Sequence, residues 1–326
     1  MTCDTMSPLS GVLISMVSVT RVEDFQELRP LLFAIAYRIL GSVSEAEDAV
    51  QEAWLRYDGS PTLPESPKAF LSATVTRISI DVLRSARVRR EAYVGPWFPE
   101  PLLTDPYQDP ERSAELADSV SMAALILLER LSPLERAVFV LREVFAFSYR
   151  DIAAAVERSE AACRQLAVQA RRHMDAGRPR FEADRRARDQ LAGRFFRAMR
   201  EGDVTGLQEL LAADVQLVND GAGKIGSTIP LFGVAKVARV LSVAIPPFAQ
   251  IGAVLEAHEV NGQPGAVIRD RDGHIFNVWT LDILDGRIQT IRSIVNPDKL
   301  AHLGPVADAH AVIREKKQTR RDRQTP

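Results

Sequence analysis

Apolar positions recur at helical spacing over roughly the first 200 residues and then switch to alternation. Leu28, Leu31, Leu32, Ile35, Ala36 and Ile39 form one helical face, and Gly41 stops that helix. Ser44 offers an N-cap to the next, with Glu45, Glu47 and Asp48 in its first turn. Ala49, Val50, Ala53, Trp54 and Leu55 carry it to about Tyr57. A loop rich in Pro, Gly and Ser precedes a helix from about Lys68 to Arg89, with Phe70, Leu71, Val75, Ile78, Val82 and Leu83 on its apolar face. Pro96, Pro99, Pro101, Pro106 and Pro110 then forbid continuous helix and stiffen the connection. Helices resume from about Glu111 to Met174, and another runs from about Asp184 to Arg200. Beyond it VQLV at 215–218, AVIR at 266–269, IFNVWTL at 275–281 and IQTIRSIV at 288–295 alternate as strands do. Asp285-Gly286 is a hairpin signal between two of these strands.

One helical segment has the form of a helix-turn-helix. FSYRDIAAAV at 147–156 is followed by a short turn and a second helix capped by Ser159. Ile152, Ala153 and Val156 can face Cys163, Leu166, Ala167 and Ala170, whose small side chains permit a close crossing. Arg164, Gln165, Gln169, Arg171 and Arg172 then lie on or beside the exposed face. Arg and Gln carry the donor forks that read guanine and adenine edges, and Arg171 and Arg172 suit phosphates. Glu157 stands where such turns usually carry Gly. A helical hairpin with a solvated charged face fits the same residues. A second basic stretch holds Arg77, Arg84, Arg87, Arg89 and Arg90 with Asp81, beside the loop 57–67, which could receive an unstacked base. A third stretch is acidic. Asp48, Gln51, Glu52 and Arg56, around Trp54, suit a basic protein partner, or simply compensate a helix dipole.

Composition changes this picture little. The chain has 326 residues, 46% hydrophobic and 26% charged, with a net charge of −2, so DNA binding rests on charge placement. Cys3 and Cys163 have no metal-ligand spacing, which argues against a zinc site or a disulfide framework. Residues 1–20 lack a basic leader region and read as a disordered leader. No segment spans a membrane by length and hydropathy, and a cytoplasmic location is expected.

The order of these segments resembles the extracytoplasmic-function sigma factors of RNA polymerase. AEDAVQEAWLR at 46–56 resembles region 2.2, which implies that Asp48, Gln51, Glu52 and Arg56 dock to the polymerase clamp helices. AFLSATVTRISIDVLR at 69–84 resembles regions 2.3 and 2.4, which implies handling of the melted minus-10 element by Arg77, Asp81, Arg84 and Arg87. LSPLERAVFVL at 131–141 and the helix-turn-helix resemble region 4, the minus-35 reader. YVGPWFPEP at 93–101, DGAGK at 220–224 and NPDKL at 296–300 resemble the SigJ-like type, whose C-terminal domain is a SnoaL-like, NTF2-like cone. The organisation expected is a leader at 1–20, sigma region 2 at 21–92, a Pro-rich linker at 93–112 and region 4 at 113–178. A SnoaL-like domain at 184–303 and a disordered basic tail at 304–326 follow. The fold class is thus two all-α sigma modules followed by an α+β cone.

The resemblance implies that the cone regulates by packing against the linker. Tyr93 and Trp97 are the expected anchors, with Asp220 and Lys224 as opposite charges on a Gly-rich loop, and Asn296, Asp298 and Lys299 in the third motif. Ala222 replaces the usual Gly of that loop. Expected partners are core RNA polymerase and promoter DNA, with a small ligand in the cone left open, and with no cofactor, metal site or catalytic residue. Two other readings stay open: a ligand-sensing DNA-binding regulator that works without polymerase, and a cone enzyme fused to a DNA-binding module. The enzyme reading would need Asp220, His258 or Asp282 aimed into an apolar cavity.

Overall fold

The computed structural model describes residues 8–107, 113–175 and 184–322, and the side chains of these except 8–19, 86–91, 113–115, 117 and 319–322. The chain divides into two compact units. The first takes Met1–Ser85, Pro106–Asp109 and Leu131–His173, and the second takes Ala86–Asp105, Pro110–Arg130 and Met174–Pro326.

In the first unit α1 (Pro8–Leu40), α2 (Val43–Asp58) and α3 (Pro67–Glu91) form a helical body. The leader expected at 1–20 is therefore helical from Pro8 onward. Its sequence has no helix breaker after Pro8 except Gly11, so α1 simply continues through it. Leu32, Ile35, Ala36 and Ile39 are fully buried, as their spacing predicts. Gly41 ends α1 at φ +69°, a left-handed conformation that favours glycine. The N-cap of α2 is Ser42, whose Oγ accepts from the Glu45 N–H at 3.1 Å. Ser44, the residue expected there, lies inside the first turn and meets Ser42 Oγ at 3.1 Å. Tyr57 is buried and donates to Asp24 at 3.1 Å. Burial first, and Asp24 second, raise its phenol above the usual value.

The second group of helices in this unit is α6 (Pro133–Phe139), a π-helical turn (Val140–Val144), α7 (Tyr149–Val156) and α8 (Glu160–Asp175). Ser132 and Glu135 form a capping box at the start of α6. Ser148 caps α7, and Ser159 caps α8 by accepting from Ala162 N–H at 3.2 Å. Ile152, Val156, Cys163, Ala167 and Ala170 are buried, and so form the helix-turn-helix core. Arg136 is buried and donates to the Arg38 carbonyl at 3.0 Å, which fixes α6 on the end of α1.

In the second unit α4 (Ser113–Val120) and α5 (Met122–Leu128) lie with the linker and the cone. The side chain of Met122 joins a buried cluster with Phe98 of the linker and Val260, Val267, Val278, Ile294 and Leu300 of the cone. The cone begins with α9 (Arg185–Glu201), capped by Asp184, and α10 (Val204–Leu210). Strands β1 (Leu211–Asp220) and β2 (Leu231–Phe232) precede α11 (Val234–Ala244) and α12 (Pro246–Gln250). Strands β3 (Val254–Val260), β4 (Gln263–Arg269), β5 (Ile275–Leu284) and β6 (Arg287–Ile294) complete one six-stranded sheet, ordered β2-β1-β6-β5-β4-β3. Only the β1–β6 pair is parallel. One sheet face carries Trp279, Leu281, Ile283 and Ile291 into a core with Phe195, Met199, Leu207 and Leu241 of the helices. The other face carries Val278 and Ile294 against Phe98 and Met122. β5 is covered on both faces, so that its polar residues Asn277, Thr280 and Asp282 are buried along with the apolar ones. The tail expected to be disordered forms α13 (Ala309–Asp322). Asp308 caps it through the Ala311 N–H at 3.0 Å, and Ala309 and Val312 enter the cone core. None of the described helices is long and apolar enough to cross a membrane.

Candidate functional site

A buried carboxylate is central to the contact between the linker and the cone. Asp220 ends β1 with its side chain fully buried, and its Oδ2 accepts from the Phe98 N–H at 2.8 Å. The same oxygen meets Lys299 Nζ at 2.6 Å. Tyr93 donates its hydroxyl to Asp220 Oδ1, and Lys299 also donates to the Phe98 carbonyl. Asn296 Nδ2 donates to the Tyr93 hydroxyl oxygen at 3.0 Å. The Lys299 ammonium sits 4.7 Å from the Tyr93 ring centre and 4.3 Å from that of Trp97, so both rings face a desolvated cation. Burial, then Asp220, holds the Tyr93 phenol far above its ordinary range. Further along, Leu102 N–H donates to Asn261 Oδ1 at 3.0 Å, and Asn261 Nδ2 donates to the Val120 carbonyl at 3.0 Å. Asn261 thus ties the linker and α4 to the β3–β4 turn.

Local backbone explains this placement. Gly221 has no room for a side chain, because a Cβ there would lie 1.8 Å from the Ile225 carbonyl oxygen. Gly223 turns at φ +70° and packs against Val94 of the linker. Ala222 occupies φ +54°, so the substituted residue keeps the left-handed turn at a strain of about 1 kcal/mol. Of the predicted residues, Tyr93, Trp97, Asp220, Asn296 and Lys299 come together. Lys224 and Asp298 are exposed and stand apart from this cluster. Of the two lysines expected at this contact, Lys299 supplies the buried cation, and Lys224 is exposed. Asp298 contributes its backbone N–H, which Asn296 caps at 3.2 Å.

The polymerase-facing candidates lie along α2. Asp48, Gln51 and Arg56 are exposed, and Arg56 Nε pairs with Glu52 at 2.9 Å. Trp54 turns inward, with its ring 4.8 Å from that of Phe25. Leu55, one of the apolar positions of α2, is 55% exposed and lies on the same face as Asp48, Gln51 and Glu52.

On α3, Asp81 and Arg84 are exposed and pair with each other at 3.1 Å. Arg77 stands apart from them. It donates to the carbonyls of Ala154 at 2.7 Å and Ala155 at 3.1 Å, and its Nε is 3.3 Å from Glu157. Glu157 closes α7 in the left-handed region, φ +54°. Arg87 lies outside the residues whose side chains are described. On α8, Gln165, Gln169 and Arg172 are exposed. Arg164 pairs with Glu160 at 2.7 Å and stacks on Tyr149, while Arg171 approaches Glu143 at 3.7 Å. Val168 is exposed among them.

The groups weighed for catalysis each have another engagement or setting. Asp220 belongs to the linker contact, Asp282 is 2.6 Å from Arg292, and His258 is exposed on β3. Asp270, Asp272 and His274 gather on the β4–β5 turn, which sequence spacing had not suggested. Asp270 Oδ1 there accepts the N–H groups of Asp272 and His274, each at 2.9 Å.

A helical body, a helix-turn-helix and a sheet domain clasping the linker define a promoter-recognition subunit with an appended cone. Two family models match, sigma-70 region 2 over residues 25–89 and sigma-70, region 4 over residues 122–174. The chain is 36% identical over 288 residues to the ECF RNA polymerase sigma factor SigJ of Mycobacterium tuberculosis, covering 85% of this chain and 92% of that one. It is 32% identical over 283 residues to the probable ECF RNA polymerase sigma factor SigI of the same species, covering 83% and 92%. The crystal structure of M. tuberculosis SigJ superposes with a TM-score of 0.66 at 32% identity, covering 86% of this chain and 98% of that one. The chain belongs to the extracytoplasmic-function sigma factors of RNA polymerase, the subunits that direct promoter recognition and transcription initiation.

Proposed function

We propose that the cone sets the path of the linker and thereby the reach between the two promoter-reading modules. The observation that carries this reading is the clasp. Asp220 and Lys299 are both buried, and both spend hydrogen bonds on the linker, at Tyr93 and Phe98. Two charges taken out of water in this way repay their desolvation only in well-made geometry. In this reading α8 reads the upstream element through Arg164, Gln165, Gln169, Arg171 and Arg172. Arg77, Asp81, Arg84 and Arg87 handle the melted element with the loop 57–67. Asp48, Gln51, Glu52 and Arg56 dock to core polymerase, with Leu55 as an apolar anchor among them. The protein acts in the cytoplasm, where polymerase is, and recognition rather than catalysis is its part.

In vitro transcription with core enzyme tests the reading, using promoters whose two elements are separated by a graded series of spacers. The wild type should favour a narrow range of spacings. The Asp220→Asn/Lys299→Met double variant and a chain ending near residue 185 should both accept a broader range. One spacer profile shared by all three proteins would refute it.

A small ligand in the cone is a second reading. It is favoured by the indole N–H of Trp279, which is buried and has no acceptor. A panel of small carbonyl compounds should then raise the melting temperature of the wild type and leave Trp279→Phe unmoved. A panel that shifts neither protein counts against it.

A further inference from the structure

We propose that Val168 reads the 5-methyl group of a thymine in the upstream promoter element. The inference deepens the reading of α8 as the promoter-facing helix, and rests on it.

The argument begins with the helix itself. Cys163, Ala167, Ala170 and Met174 are buried and define the inner face of α8. At about 100° per residue, Gln165 and Arg172 fall opposite that face, and Val168 lies within about 60° of them. Val168 is 41% exposed. Its neighbours at three- and four-residue steps are Arg164, Gln165, Arg171 and Arg172, four of the five side chains that offer donors to DNA. A β-branched residue on an exposed helix position gains little from propensity or packing. Its position decides what it touches: any surface engaged by these four donors also covers Val168.

The floor of a major groove offers acceptors and donors at every base pair but only one apolar group, the thymine methyl. An apolar side chain ringed by donors matches that arrangement. Arg164 and Arg171, seven residues apart, lie together on one flank of the face, where Glu160 and Glu143 hold them and where they suit phosphates. Gln165 and Val168 are left over the base edges. Gln165 supplies hydrogen-bond readout, and Val168 supplies readout of the one feature that hydrogen bonds miss.

The test uses full-length protein with core polymerase and duplexes whose upstream element was selected by that holoenzyme from a randomised library. Each thymine of the element is replaced in turn by deoxyuracil, which removes the methyl and leaves the pairing edge intact. The wild type should lose about fourfold in affinity at one position, the value of one buried methyl group. Val168→Ala should bind thymine and deoxyuracil equally there and keep wild-type sensitivity elsewhere. Alanine at an exposed helix position favours the fold, so stability should not fall. Unchanged deoxyuracil sensitivity in Val168→Ala would overturn the proposal. Arg172→Ala separates the two levels. If it weakens binding while Val168→Ala leaves methyl sensitivity intact, only the role of Val168 fails. If neither variant alters binding, the reading of α8 fails with it.

Discussion

Lys299 and Asp220 are 79 residues apart in sequence, and their charged atoms stand 2.6 Å apart inside the second unit. Each is the other's counter-charge, and both also hold the linker. The order of the linker around Tyr93 and Phe98 is therefore coupled to this ion pair.

Removing one member of that pair leaves the other buried and uncompensated. Asp220→Asn or Lys299→Met should each destabilise the second unit by about 3–5 kcal/mol. The double variant should lose less than the sum of the two. Chemical denaturation of the three proteins measures this, and strict additivity would show that the two charges act independently.

Tyr93 gives the clasp an alkaline limit. Its folded-state value lies above the unfolded phenol value of about 10, so ionisation favours the unfolded chain. Its contribution is fully present below pH about 10 and is lost as pH rises from there through the folded value. The stability difference between wild type and Tyr93→Phe should be about 1 kcal/mol near neutrality and shrink above pH about 10. A difference independent of pH up to about 11.5 would contradict the buried hydrogen bond to Asp220.

Glu157 combines an unfavourable backbone with a half-exposed ion pair. Glycine there should relieve about 1 kcal/mol of left-handed strain and forfeit at most about 1 kcal/mol from the contact with Arg77. Glu157→Gly is therefore expected to match or exceed wild-type stability, and Glu157→Val to fall well below it. Thermal melting of the two variants distinguishes these outcomes.

Leu55 separates binding from folding. Leu55→Asp should leave stability within about 0.5 kcal/mol, because the side chain is mostly in water. It should weaken association with core polymerase at least about tenfold if α2 is the docking face. Titration of labelled core enzyme reads the effect, and normal affinity would remove α2 from the interface.

Asn261 makes two buried hydrogen bonds from a left-handed backbone at φ +53°. Asn261→Ala should cost about 2 kcal/mol or more and speed amide exchange at Leu102. Protection at Leu102 equal to that of the wild type would argue against this anchor.

Local patterns carried most of the fold. Alternation located β1, β4, β5 and β6, and Asp285-Gly286 marks its hairpin with two left-handed residues. Strand β3 escaped because it is an edge, where Glu256, His258 and Glu259 replace an apolar period. The Asn261-Gly262 pair that turns it into β4 was the available signal. The site was legible in its motifs but not in its pairings. Asp220 and Lys224 are opposite charges on one loop, but the buried partner of Asp220 is Lys299, 79 residues away. Helical spacing put Arg77 with Asp81 and Arg84, yet the helix-turn-helix occupies Arg77. No local pattern encodes which carbonyls a distant guanidinium will find.

The parallel pairing of β1 with β6 bears on how the protein is born. Phe98 and Lys299 are separated by 201 residues, so at roughly 5–20 residues per second the ribosome needs about 10–40 s to deliver the second after the first. For the later part of that interval, once Asp175 has been made, the nascent chain carries both helix groups of the first unit with its proline strap unfastened.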